Sequence, residues 1–190
     1  MSPQNRAPNP RHPWLTARPI AHRGLHDAAH GIIENTATAA TAAIAGGYGI
    51  EADLQVSADG EAIVHHDEAL GRLTEGEGLL RDLPAAALKL IAYKAAAERM
   101  LTLGDLVDLV AGRTALVLEL KSRFDGDVPL TVRTATVLGD RGVGRRDVVR
   151  PDAGHRAADS VPRILSAALW PNATIGRRIG TCSEGCGSLN

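Results

Sequence analysis

Glu51 and Asp53, two residues apart in the run YGIEADLQV, and Glu119, two residues before Lys121 in ALVLELK, are where this chain has the means for chemistry. In an extended segment residues i and i+2 share a face. Glu51 and Asp53 therefore point one way, and so do Glu119 and Lys121. Three such carboxylates make an oxygen-rich site for a hard divalent cation, Mg²⁺ or Ca²⁺. Arg23 and Lys121 add positive charge suited to a phosphate. His22 and His66 end two further apolar runs, and histidine is the side chain that takes and returns protons near neutral pH. A cation, a cationic clamp and paired imidazoles together suit phosphoryl transfer, in which the protein positions groups and stabilises charge on non-bridging oxygens. Taken singly, each piece has a plainer reading. An E-x-D on a strand is commonly a solvated face, a strand-end His is commonly a satisfied polar residue, and Glu34 could simply complement a helix dipole. The joint pattern outweighs these readings, because buried charges are costly unless paired or bound to a metal.

The elements that must hold these groups alternate. A short apolar run, Pro19 to Ala21, leads to His22-Arg23-Gly24 and predicts a strand ending in a turn. Glu34-Asn35-Thr36 opens an Ala-rich helix to Ala45, with Asn35 or Thr36 as N-cap and Gly46-Gly47 as the stop. Tyr48 to Val56 predicts a second strand, Gly60 a turn, and Ala62 to Val64 a third strand running into His65-His66-Asp67. Leu70 to Met100 reads as loop and short helix, Thr102 to Val110 as a helix, and Ala115 to Leu120 as a buried strand. Such alternation predicts a parallel α/β sheet or barrel, in which strand ends distant in sequence meet at one mouth.

Composition narrows the class. The chain has 190 residues, 44% hydrophobic and 23% charged, enough for one domain with a core. Its formal net charge of −1 gives no basic field for nucleic acid. No apolar run approaches the ~20 residues of a membrane span. The polar, Pro-rich start, MSPQNRAPNPRHPW, lacks the apolar stretch of a secretory signal, so the expected location is cytoplasmic. Cys182 and Cys186 have no second ligand pair with which to form a zinc site.

The order HRG, ENT, IEADLQVSADG, VHHD, LTLGDL and LVLELK, from about Pro19 to about Leu138, resembles the glycerophosphodiester phosphodiesterase family. The resemblance implies a (β/α)8 TIM-type barrel, a divalent metal, and hydrolysis of a small-molecule glycerophosphodiester to an alcohol and glycerol 3-phosphate. It implies His22 and His66 as the catalytic histidines; His66 directly precedes Asp67, as the motif requires, and His65 sits at a variable position. It implies Glu51, Asp53 and Glu119 as metal ligands, Glu34 as an acid near metal or substrate, and Arg23 and Lys121 as phosphate contacts. His12, His26, His30 and His155 match nothing and are expected at the surface.

The chain departs from the family pattern twice. Ala40 stands where the family usually has an aromatic. Beyond about residue 138 the texture turns Arg-, Asp- and Gly-rich without a clear period, and strands stop being recognisable around Leu120. A complete barrel takes about 250 residues. The reading is therefore an incomplete barrel: a flexible lead over 1–17, the barrel's N-terminal part over 18–138, and a divergent, poorly structured tail over 139–190, such as a shifted reading frame would leave. The rival reading is a catalytically inactive fragment that binds metal or anion weakly. A membrane-acting phospholipase or sphingomyelinase-type lyase on the same barrel is disfavoured by the scarcity of aromatics, 3% of residues, and the polar N-terminus.

Overall fold

Strand β2, Gly49–Val56, is the spine of the sheet. At its start it pairs in parallel with β1, Ile20–Ala21, with Ala21 opposite Ile50. Along its other edge it pairs in parallel with β5, Leu116–Leu120, in the register Asp53 opposite Glu119. The computed structural model describes residues 17–121 and 128–142.

One strand runs against the expected direction. Strand β3, Ala62–Val64, is antiparallel to β2, with Leu54 opposite Val64; β4, Leu101–Thr102, is antiparallel to β3 and so runs in the direction of β2 again. Connection length explains the reversal. A parallel crossover needs about a dozen residues or more, whereas residues 57–61 only close a hairpin. There Ser57 N–H donates to Glu61 O at 3.0 Å and Gly60 takes φ +80°.

Alternation along the strands separates two faces. Ile50, Ala52 and Leu54 of β2 and Leu116, Leu118 and Leu120 of β5 are buried in one cluster with helix residues. The helices are α1 (Ala37–Ala45), α2 (Ala85–Leu88), α3 (Leu103–Val110) and α4 (Pro129–Asp140). The other face of β2 and β5 carries Glu51, Asp53, Glu119 and, beyond the end of β5, Lys121. A second cluster, Ile33, Ile63, Leu70, Leu80, Leu88, Tyr93 and Met100, packs the long segment between β3 and β4.

Local chemistry sets the helix ends. Thr36 rather than Asn35 caps α1, accepting from Ala39 N–H at 3.3 Å. Thr102 and Asp105 form a reciprocal capping box on α3. Ala40 is buried inside α1, so the position that lacks the family's aromatic belongs to the core. Helix α4 went unread in the sequence, because Thr131, Val132, Thr134, Thr136 and Val137 are β-branched and weak helix formers. Packing decides instead: Leu130, Thr134, Val137 and Leu138 are buried. Arg133 grips Glu61 through two bonds of 2.9 and 2.7 Å, and Arg141 grips Asp108 at 2.8 and 2.9 Å. His12, His155, Cys182, Cys186 and nearly all of the expected tail lie outside the described residues. No described helix is long and apolar enough to cross a membrane.

Candidate active site

The parallel register of β2 and β5 sets Glu119 beside Asp53, and the two-residue repeat adds Glu51 on the same face. One carboxylate oxygen from each of the three lies within 4.8 Å of the others. Asp53 is fully buried and Glu51 partly so. Burial, and then the negative charge of Asp53, push the Glu51 carboxyl up to about 7, although Arg23 N–H donates to its Oε2 at 2.9 Å. Its Oε1 is buried and has no hydrogen-bond partner.

Asp53 is held from several sides. Asn35 Nδ2 donates to Asp53 Oδ2 at 2.9 Å, and Asp53 N–H donates to Asn35 Oδ1 at 3.2 Å. Arg23 Nε lies 3.2 Å from Oδ2 and Lys121 Nζ lies 3.1 Å from Oδ1. Neither contact has hydrogen-bond alignment, so both act as charge attraction. Lys121 Nζ also donates to Glu119 Oε1 at 2.5 Å. Burial opposes the lysine charge, but the bond to Glu119 and the attraction of Asp53 outweigh it and raise its pKa. Clustered hard oxygens, with Glu51 Oε1 orphaned among them, are a donor set that fits a hard divalent cation. The ammonium of Lys121 already answers part of that negative charge.

A second arm reaches the cluster from β3. The hairpin brings the chain back so that His65 N–H donates to Asp53 O at 3.1 Å. His65 is buried, and that burial lowers its pKa. His66 is part-exposed; its Nδ1 sits 2.7 Å from Asp67 Oδ1, and its carbonyl accepts from Gln55 Nε2 at 2.8 Å. Arg72 then links Asp67 to Glu34, and Arg23 Nη1 donates to Glu34 Oε1 at 2.9 Å. Burial would raise Glu34, but the bond and charge of Arg72, and then Arg23, outweigh it and lower its pKa. The Asp67 carboxyl is likewise raised by burial yet held down at about 2 by its bonds to Arg72 and His66.

His22 is exposed in the turn after β1, next to Arg23. Arg23 takes φ +58° and Gly24 φ +79°. A Cβ on Gly24 would fall 2.8 Å from the Ala39 carbonyl carbon, so only glycine lets this turn lie against α1. The structure thus gathers Arg23, Glu34, Glu51, Asp53, Glu119 and Lys121 in direct contact. His66 is linked to them through Asp67 and Arg72; His22 is exposed and is related to them only as the chain neighbour of Arg23. His26 and His30 are exposed, and His30 bonds only locally, to Asp27 at 2.6 Å. Sequence reasoning missed the roles of Asn35 and Arg72. Asn35 offered a signal, because it is a residue type that tolerates the positive φ it adopts, +57°. Arg72 offered none, since its partner Glu34 lies 38 residues away.

Comparison with known proteins points one way. The sequence model of the glycerophosphoryl diester phosphodiesterase family matches residues 22–122. A glycerophosphodiester phosphodiesterase from Caldanaerobacter subterraneus subsp. tengcongensis is 37% identical over 111 residues, 54% of this chain and 44% of that protein. Glycerophosphodiester phosphodiesterase 1 of Bos taurus is 42% identical over 83 residues, 43% of this chain and 24% of that protein. Among solved structures, an Oleispira antarctica phosphodiesterase in complex with the product sn-glycerol-3-phosphate has a TM-score of 0.57 at 28% identity, over 64% of this chain and 51% of that one. A glycerophosphodiester phosphodiesterase from Agrobacterium tumefaciens has a TM-score of 0.56 at 26% identity, over 66% of this chain and 53% of that one. The chain spans less than half the length of these two curated relatives. The described strands and helices form part of a (β/α)8 barrel, as the likeness to these solved structures requires.

Proposed function

The chain belongs to the glycerophosphoryl diester phosphodiesterase family, and from that premise we propose that it hydrolyses a glycerophosphodiester to an alcohol and glycerol 3-phosphate. The observation that carries the reading is the convergence of three carboxylates within 4.8 Å, beside two cationic side chains. Glu51, Asp53 and Glu119 hold a divalent cation, Mg²⁺ or Ca²⁺, with Glu34 close by. Such a cation supplies Lewis-acid stabilisation of the phosphoryl oxygens. Arg23 and Lys121 bind the non-bridging oxygens and orient the diester. His22 and His66 divide the proton work. One imidazole takes the proton from the attacking oxygen: that of water, which gives glycerol 3-phosphate directly, or that of the adjacent glycerol hydroxyl, which gives a cyclic phosphate that water then opens to glycerol 3-phosphate. The other gives a proton to the departing alcohol as the P–O bond to the head group breaks. Asp67, at hydrogen-bond distance from His66 Nδ1, orients that ring. Within 18–138, the described residues 18–121 and 128–138 are the part of the barrel that carries this site.

The test is the purified full chain with glycerophosphocholine, with and without Mg²⁺ or Ca²⁺. Metal-dependent release of glycerol 3-phosphate is expected, falling by about 10² to 10⁴ in His22→Ala and in His66→Ala. A silent wild-type chain would instead support the inactive-fragment reading. Undiminished turnover in either variant would remove that histidine from the chemistry.

A further inference from the structure

Arg72 lies in the segment after β3, outside the set of groups that handle phosphate or metal. Its guanidinium makes three bonds to two carboxylates. Nε donates to Asp67 Oδ2 at 2.5 Å, Nη2 donates to Asp67 Oδ1 at 3.2 Å, and Nη2 also donates to Glu34 Oε1 at 2.6 Å. Asp67 Oδ1 is the same atom that meets His66 Nδ1 at 2.7 Å. Glu34 Oε1 is the same atom that accepts from Arg23 Nη1 at 2.9 Å.

The backbone beneath Arg72 is fixed for this purpose. Gly71 takes φ +108°, and its N–H donates to the buried Thr74 Oγ1 at 3.2 Å. Lys94 Nζ donates to Gly71 O at 2.5 Å, and Lys94 N–H donates to Leu73 O at 2.9 Å. Leu70 N–H donates to Gly78 O at 2.8 Å. The loop is therefore pinned on both sides of the arginine, and the side chain reaches outward from a set position.

Stability does not account for this arrangement. The Arg72 side chain is 47% exposed, and exposed ion pairs contribute little to folding. A planar fork that grips both oxygens of one carboxylate does fix orientation, which a lysine ammonium cannot reproduce. From this geometry we propose that Arg72 is a positioning residue: it locks Asp67 in the plane that holds the His66 proton on Nδ1, and it ties that histidine arm to the Glu34–Arg23 arm. Nε2 of His66 is then left as the working nitrogen, because the bond at one ring nitrogen decides the state of the other. The inference rests on the hydrolase reading for what Nε2 works upon, but the locking itself is independent of turnover.

The experiment uses the full chain labelled with ¹⁵N-histidine, as wild type, Arg72→Gln and Arg72→Lys, each checked for folding by thermal melting. In the wild type the His66 ring is expected to show a single tautomer, protonated at Nδ1. Both variants should shift it toward a mixture that includes the Nε2-protonated form, with Lys failing to restore the wild-type signal. In the phosphodiesterase assay kcat should fall by about 10- to 100-fold with KM within about threefold, as for loss of a partner that orients a working ligand or base. If Arg72→Gln does not fold, Arg72→Lys carries the test with the charge retained. A wild-type tautomer signal in the folded variant overturns the proposal. A silent wild type whose ring signal still responds to Arg72 leaves the proposal standing and sinks the hydrolase reading.

Discussion

Replacing Glu51 by Gln should make the protein more stable at pH 8 in chelator and should sharply weaken its response to added cations. Burial and the Asp53 charge raise the Glu51 carboxyl from 4.5 to about 7 in the folded chain. A group whose folded pKa is raised binds its proton more tightly when folded. Its contribution to stability is full below pH 4.5 and is lost as pH climbs through 7. The shift corresponds to about 3 kcal/mol at 1.36 kcal/mol per unit. Discounting for the part of the group still in contact with water leaves about 2 kcal/mol. Glutamine keeps the shape without the charge, so it recovers that amount at pH 8 and only about a quarter of it at pH 5, where Glu51 is protonated in the folded chain but mostly ionised in the unfolded one. For a domain of this size the gain corresponds to a rise of about 4–10 °C in Tm at pH 8. The order should then invert with added Mg²⁺ or Ca²⁺. The wild type gains stability by mass action on its cation site, and the variant, short of one ligand, gains far less. Thermal melts at both pH values, with chelator and with a series of cation concentrations, provide the assay. A variant that melts no higher than wild type at pH 8 in chelator would refute the burial argument. Equal cation response in both proteins would refute Glu51 as a ligand.

Asn35→Ala should cost about 2–4 kcal/mol in urea unfolding, since it removes both bonds to buried Asp53 and leaves an alanine at φ +57°; Asn35→Gly, which relieves only the backbone, should recover part of that. Gly24→Ala should destabilise by about 2–4 kcal/mol, because its Cβ meets the α1 backbone at 2.8 Å and φ is +79°; an unchanged urea midpoint would mean that the turn relaxes. Lys121→Met should tighten Mg²⁺ or Ca²⁺ binding in calorimetry, by removing a cation that competes for Asp53 and Glu119, and should raise KM for the diester. If neither quantity moves, Lys121 serves neither partner.

Much of the site was written along the chain. The two-residue repeat of Glu51 and Asp53, and that of Glu119 and Lys121, place each pair on one face of a strand wherever the strand lies. The Ala-rich run closed by Gly46-Gly47 determines α1, and Thr102 with Asp105 determines where α3 starts, because capping and propensity act over three or four residues. What the sequence left open was long-range. The parallel register that sets Glu119 opposite Asp53 joins segments 66 residues apart. The antiparallel return of β3 carries His65 alongside Asp53, with His66 next in the chain, rather than to the end of a parallel strand. Helix α4 forms from β-branched residues because its buried face and the Arg133–Glu61 pair outweigh weak propensity. Arg72 meets Glu34 only after three separate segments have packed. Local sequence fixes which groups a segment can present and on which side. Which groups share a charge field depends on pairing and burial between distant segments, and those exist only in the folded chain.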